Sequence, residues 1–329
     1  MANENGVLVF AETANGSLAS ITGELLAAAR RLSDSLGQPA CAALLGSGVA
    51  GLADEAVALG ADKVFVADDA QLAQYASDAY VVAMQQVCAQ ANPAVLLLGQ
   101  TDAGRDLAPR LAFRLGTTVA MDCVELDVQD GKVAMTRPCY GGAARAVHTS
   151  KTMPQMATVR AKSNDPLGKD PSRKGEVATV SVSLDPSALP TKVLERKKAE
   201  AAGIRLEDAD AIVCGGRGIG GPEGFQVLEE LAGLLGGAVG ATRAVCDLGW
   251  RPVAEQIGLT GKIVGPTIYV AVALSGASQH MAGCSGSKNI IAINKDPEAN
   301  IFKASRLGIV ADYRQVMPAL VEAVRKLKG

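Results

Sequence analysis

Three short stretches in the second half of the chain gather side chains that can contact a ligand. They are Gly240-Ala-Thr-Arg243, Gln256-Ile-Gly-Leu-Thr-Gly-Lys262 and Ser275-Gly-Ala-Ser-Gln-His280. Small residues at turns let a ligand touch the backbone. Thr242, Arg243, Gln256, Thr260, Ser275, Gln279 and His280 then offer donors and acceptors to its oxygens and nitrogens. The whole chain has only 2 histidines and 3% aromatic residues. So dense a set of polar groups among glycines reads as a binding surface rather than as ordinary loop.

A fourth stretch, Cys214-Gly-Gly-Arg-Gly-Ile-Gly-Gly221, places Gly216, Gly218 and Gly221 at GxGxxG spacing, with a helix expected to begin near Glu223. Glycines so spaced permit a tight turn and let a pyrophosphate approach the backbone. The full dinucleotide fingerprint also wants an acid at the end of the next strand, whereas here that strand runs into Thr242-Arg243. An arginine suits a 2′-phosphate, so a self-contained NADP- or FAD-dependent oxidoreductase stays open. Arg243 reads either as a ligand-facing cation or as half of a salt bridge with Asp247. Lys262 is a candidate phosphate contact, but the GxxxxGK[ST] spacing of a Walker loop is absent. His280 opens a helix after a strand, where backbone amides favour phosphate. His148, inside an apolar run, reads as structural. There is no GxSxG, no HExxH and no cysteine–histidine pair at catalytic spacing, so neither a catalytic residue nor a metal ligand is assigned.

These stretches need a scaffold, and the apolar pattern supplies one. Short continuous apolar runs at 7–10, 40–45, 63–67 and 95–99 alternate with helical spacing at 18–36, 51–59 and 78–91. Such runs belong to a parallel sheet covered on both faces. From 117 to 160 the texture becomes β-rich, with strands expected at 119–126, 132–140, 144–148 and 156–160, and a further one at 177–184. A charged, proline-containing stretch over 186–202 then reads as a linker that lets the second half reorient. Alternation restarts at 211–214 and continues with strands at 238–241, 268–273, 290–294 and 308–311. The expected architecture is two tandem α/β domains with mainly parallel sheets, residues 1–195 and 196–329, the second a Rossmann-like cofactor domain.

Composition narrows the class. Hydrophobic residues make up 48% of the 329 and charged residues 20%, ample for a full core, while a net charge of −2 gives no basic footprint for nucleic acid. No apolar run approaches the roughly 20 residues that span a bilayer, so no stable membrane insertion is expected. The N-terminal residues lack the pattern of a signal peptide, which fits a bacterial cytoplasm. The 7 cysteines are odd in number and contain no CxxC, so they read as buried free thiols in a reducing compartment.

Taken together, Val213-Cys-Gly-Gly-Arg-Gly218, Val239-Gly-Ala-Thr-Arg-Ala244, Gln256 to Lys262, Ile268 to Gly283, Ile291-Ala-Ile-Asn-Lys-Asp-Pro-Glu-Ala299 and Ile309-Val-Ala-Asp312 resemble the α subunit of electron transfer flavoprotein. Looser similarity runs through Leu98 to Arg110 and Pro138 to Ala143. The resemblance implies a heterodimer with a β subunit, in which the C-terminal domain of this chain holds FAD. It implies electron transfer between acyl-CoA dehydrogenase-type flavoenzymes and a quinone oxidoreductase, or a part in flavin-based electron bifurcation. Arg217, Thr242, Arg243, Gln256, Thr260, Ser275, Gly276, Ala277, Gln279, His280, Asn294 and Asp312 fall on the family's flavin-site positions. By that resemblance Arg243 lies near the isoalloxazine, Thr260 near N5, His280 near the O2 edge, and Asn294 and Asp312 at the adenosine end. Thr242 stands where serine is common, and Leu259 where glutamine is common.

Overall fold

The computed structural model describes residues 6–328 except 143, 186, 188, 192 and 196–203. The expected leaderless start at 1–5 and most of the charged linker therefore lie outside the described residues. The described residues form two compact units, one mainly within 1–197 and the other mainly within 198–329.

The first unit begins with β1 (Val7–Ala11), a two-residue ladder of β2 (Thr13–Ala14) and β3 (Ser17–Leu18), α1 (Ser20–Leu36) and β4 (Ala40–Gly46). It continues through α2 (Ala53–Ala58), β5 (Lys63–Asp68), α3 (Ser77–Ala91), β6 (Val95–Gly99) and α4 (Asp102–Arg114). Alternate residues of β1 enter opposite cores: Val7, Val9 and Ala11 pack with Leu25 and Leu26 of α1, while Leu8 and Phe10 pack with Met84 of α3 and Leu107 of α4. A strand buried on both faces has no polar side to show, which is why its sequence is an unbroken apolar run. Deleting one such side chain, Leu97 for example, costs about 2–5 kcal/mol. Helix α1 stops at Gly37, whose φ of 64° closes the last turn in the left-handed region. Helix α4 starts where the Thr101 hydroxyl accepts the Gly104 N–H at 3.0 Å.

The β-rich stretch departs from expectation. The run 119–126 is two strands, β7 (Val119–Cys123) and β8 (Glu125–Gln129), and they belong to different sheets. The break is at Asp122, whose φ is 64°. Its N–H donates to Thr158 Oγ1 at 2.8 Å, and Arg160 grips its carboxylate at 2.9 and 2.6 Å. Strand β8 pairs antiparallel with β9 (Lys132–Cys139), and β9 with β10 (Ala144–His148). His148, read from the sequence as structural, is exposed on this outer strand. Strand β11 (Gln155–Val159) leaves this small sheet and sits between β6 and β7 in the main one. The run 177–184 yields only β12 (Glu176–Thr179). Beyond it the Ser183 N–H turns to the Gln86 side chain at 2.8 Å rather than to a strand. The main sheet is wholly parallel, in the order β12-β5-β4-β1-β6-β11-β7.

The second unit alternates more regularly. Its elements are β13 (Ala211–Gly215), α5 (Gln226–Leu235), β14 (Ala238–Ala241), α6 (Arg243–Asp247), β15 (Ile268–Val272), α7 (Ser278–Cys284), β16 (Asn289–Asn294), α8 (Ile301–Ala304), β17 (Leu307–Val310) and α9 (Tyr313–Lys328). Helix α5 begins three residues later than the sequence suggests, because two 3₁₀ turns, Arg217–Ile219 and Pro222–Phe225, intervene. All five strands are parallel, in the order β14-β13-β15-β16-β17. Ile212 and Cys214 face one core and Val213 the other.

Among the described residues no helix is long and apolar enough to cross a membrane. None of the seven cysteines is in a disulfide; Cys139 is half-buried and the other six are buried.

Candidate functional site

In the second sheet the chain steps from β13 outward to β14, then returns past β13 to β15 on its other side. Parallel α/β sheets bind ligands at such a reversal, beyond the carboxyl ends of the strands. The register aligns those ends: Gly215 lies beside Ala241 and Val272, Val272 beside Ile293, and Asn294 beside Val310. One step further along this row, Thr242, Gly216, Ala273, Asn294 and Val310 follow one another across the edge. Five strands about 4.8 Å apart make this edge roughly 19 Å long.

Glycine is required where the two central strands end. A Cβ on Gly216 would lie 2.4 Å from the Ala273 carbonyl oxygen and 2.5 Å from Leu274 Cα. The backbones meet there: Gly216 N–H donates to Val272 O at 2.9 Å, and Gly218 N–H to Ala273 O at 3.1 Å. Ala273 itself has a φ of 52°. That conformation costs a non-glycine residue about 1 kcal/mol or more, and such residues cluster at functional sites. Gly276, at φ 75°, leaves no room for a Cβ against the Ile301 backbone 2.4 Å away.

Along this edge some polar groups point to solvent and others are spent within the chain. Arg217, Ser275, Ala277 and Gln279 are exposed. Thr242 precedes α6 without using its hydroxyl as a cap. The Arg243 side chain is 68% exposed and loosely paired with Asp247 at 3.4 Å. Gln256 is buried, and its Nε2 donates to Thr260 Oγ1 at 3.0 Å. That bond uses a lone pair of Thr260 and leaves its hydroxyl proton for an outside acceptor. Asn294 is committed on both sides: Nδ2 donates to Leu274 O at 2.8 Å, and Oδ1 accepts the Asp296 N–H at 3.0 Å. Asp312 accepts the Arg314 N–H at 2.9 Å.

His280 is 7% exposed, with Nδ1 3.0 Å from Ile257 O and Nε2 2.9 Å from Tyr269 Oη. A carbonyl only accepts, so Nδ1 carries the proton and Nε2 accepts from tyrosine. Burial pushes the histidine pKa down, partly offset by the bond to Ile257, and the ring is neutral at pH 7. It stands beside the row of exposed groups, but it has no ring N–H to offer a ligand. Lys262, a candidate phosphate contact from the sequence, instead pairs with Glu207 at 2.6 Å. Tyr269 and Arg251 were not singled out in the sequence. The tyrosine is hidden in an apolar strand, whereas the i,i+4 spacing of Arg251 and Glu255 was a readable signal of an anchored loop.

A parallel sheet with a glycine-cleared reversal point, lined by two arginines and several hydroxyls, defines a nucleotide-cofactor-binding α/β unit. A flavin dinucleotide fits these residues: the edge has the length for an extended dinucleotide, the Gly216 cradle admits close backbone approach, and Arg217 and Arg243 match its anionic character. Among the described residues no group of three His, Cys, Asp or Glu side chains could hold a metal ion.

Comparison with known proteins agrees. The electron transfer flavoprotein domain family matches residues 7–185, and the electron transfer flavoprotein FAD-binding domain family matches residues 205–285. The electron transfer flavoprotein subunit alpha of Thermoanaerobacterium thermosaccharolyticum is 43% identical over 98% of this chain and 98% of its own. That of Megasphaera elsdenii is 45% identical over 100% and 99%. Protein FixB of Clostridium saccharobutylicum is 42% identical over 99% and 98%. The chain belongs to the electron transfer flavoprotein α-subunit family, and its second unit is the family's FAD-binding domain.

Proposed function

We propose that this chain, paired with a β subunit, carries electrons on FAD between flavin dehydrogenases of the acyl-CoA dehydrogenase type and a quinone oxidoreductase, in a bacterial cytoplasm. The single observation that carries the reading is the lateral alignment of the strand ends that lead into Gly216, Thr242–Arg243 and Ser275 along the carboxyl edge of one sheet, with the Arg243 guanidinium exposed. FAD, when bound, supplies the one- and two-electron chemistry. The chain's residues bind and bias it. Arg243 places a fixed cation where negative charge grows on reduction, which favours the reduced form. Thr260, its oxygen held by Gln256, directs a hydroxyl proton outward to an acceptor such as a ring nitrogen. Arg217 and the Gly216 turn receive the pyrophosphate. His280 serves as a neutral wedge that holds the Ile257 peptide and the start of α7. Asn294 fixes the turn at the adenosine end. Flavin-based bifurcation is a variant of the same reading and depends on the partner.

The test is co-production with the β subunit, followed by visible spectroscopy and electron transfer from a reduced acyl-CoA dehydrogenase to a quinone oxidoreductase. A yellow complex that releases FAD and relays electrons supports the reading. A complex that binds NADP without flavin, or turns over a substrate without its partner subunit, overturns it in favour of a self-contained oxidoreductase.

A further inference from the structure

Arg251 lies on the loop after α6 and is the most heavily engaged arginine of the second unit among the described residues. Its side chain is 19% exposed. Nε donates to Glu255 Oε2 at 2.6 Å and Nη2 to Glu255 Oε1 at 2.9 Å, a two-pronged grip, while Nη1 donates to Glu229 Oε1 of α5 at 2.6 Å. The guanidinium also stacks on Phe225, 5.4 Å from the ring centroid.

Each contact leads to a different part of the flavin edge. Phe225 is fully buried, and its ring occupies the space beside Gly215, where a Cβ would come within 2.5 Å of it. It is therefore the wall beneath the Gly216–Arg217 turn. Glu255 immediately precedes Gln256, which supports Thr260. The next residue, Ile257, donates its N–H to Ala241 O at 2.9 Å, just before Thr242 and Arg243. Arg251 thus ties the glycine turn, through Phe225 and α5, to the strip that carries Gln256 and Thr260. Its charge is already met by two carboxylates, so its effect on a ligand is one of geometry.

We infer that Arg251 is a positioning residue that sets the spacing between the Gly216–Arg217 turn and the Gln256–Thr260 strip, and thereby the affinity and redox poise of the bound flavin. This rests on the FAD reading above. A planar fork that grips two carboxylates while stacking on a ring is a task for arginine; lysine supplies only a point charge.

The experiment uses the full chain with its β subunit and compares wild type, Arg251→Lys, Arg251→Met, Glu229→Gln and the triple variant Arg251→Met/Glu229→Gln/Glu255→Gln. The readouts are the FAD dissociation constant, the flavin midpoint potential and the melting temperature of the FAD-stripped complex. Arg251→Met weakens FAD binding at least tenfold and shifts the potential; Arg251→Lys recovers part of both. Glu229→Gln, which keeps the Glu255 grip and folds most readily, gives a smaller shift in the same direction. The triple variant stays weak, because the clamp is missing even though no carboxylate is left unpaired. Wild-type affinity and potential in all variants, with only the melting temperature lowered, overturn the inference. Full recovery in the triple variant also overturns it, since the fault would then be uncompensated charge. Absence of FAD from the wild-type complex refutes the underlying FAD reading instead.

Discussion

Tyr269, the second residue of β15, donates a buried 2.9 Å hydrogen bond to Nε2 of His280 in the first turn of α7, eleven positions along the chain. The tyrosine is completely buried, and burial raises its hydroxyl pKa well above the ordinary value, reinforced by the neighbouring Cys214 and Cys284 thiols. The bond locks the imidazole in its neutral form with the proton on Nδ1. Tyr269→Phe removes the donor and leaves Nε2 buried without a partner, at a cost of about 1–3 kcal/mol. The expected outcome is a lower melting temperature of the FAD-binding unit and a changed ¹⁵N signature for His280. An unaltered imidazole spectrum in the variant would show that the tyrosine does not hold the tautomer.

Acidification tests the same pair from the other side. The folded-state pKa of His280 is depressed by burial below 6.5. The unfolded chain therefore binds the proton more readily. The stability that depends on neutral His280 is complete above pH 6.5 and declines as the pH falls from there through the folded-state pKa. His280→Gln should flatten this segment of the stability–pH curve, measured by urea unfolding followed at Trp250. A slope identical to wild type places the acid sensitivity elsewhere.

Two buried carboxyls in the first unit carry the opposite sign. Burial pushes Glu12 up to about 7, partly offset by the Thr101 hydroxyl and reinforced by Asp102. It pushes Glu24 up to about 7 as well, partly offset by the Lys162 and Asn164 backbone N–H groups and by the Lys162 charge, and reinforced by Asp165. Their folded forms hold protons that the unfolded chain releases near pH 4.5, so their contribution is full below 4.5 and is lost as the pH rises through 7. Each accounts for at most about 3 kcal/mol. Glu12→Gln, which keeps the shape without the charge, should make the amides of β1 and α4 exchange more slowly at pH 8 than in wild type. Equal or faster exchange in the variant contradicts the assignment.

Replacing Arg243 by alanine removes an exposed cation from the edge proposed to hold the flavin. The effect expected of a solvent-facing charge is roughly 1 kcal/mol, or roughly 40 mV for one electron, toward lower potential. Lysine should restore only part of it, and high salt should shrink the difference between wild type and variant. Identical redox titrations of wild type and the alanine variant would reduce Arg243 to a partner of Asp247.

Gly216→Ala tests the cradle. The added methyl would meet backbone atoms 2.4 and 2.5 Å away, which cannot yield as a flexible side chain can. We expect loss of FAD binding together with destabilisation of about 1–3 kcal/mol. Gly233→Ala, on α5 with open space around its Cβ position, is the control and should leave flavin content unchanged.

The unbroken apolar runs of β1, β4 and β6 made a parallel sheet legible, because a strand buried on both faces leaves a continuous signature. The positions of Gly216, Thr242, Arg243 and Ser275 just beyond strand ends were equally legible, since each comes within three residues of a strand that local pattern locates. Strand neighbours were not legible. Asp122 divides one apolar run between two sheets through bonds to Thr158 and Arg160, residues more than thirty positions away. The transfer of β11 into the main sheet, the exposure of His148 and the pairing of Lys262 with Glu207 likewise depend on neighbours distant in sequence. His280 shows the division most sharply: its type and its place after a strand marked it as chemical, but its neutral, fully bonded state is set by the Tyr269 hydroxyl and the Ile257 carbonyl. Residue type and local period announce what a segment can become; which proton a buried ring keeps is settled by the partners that folding brings to it.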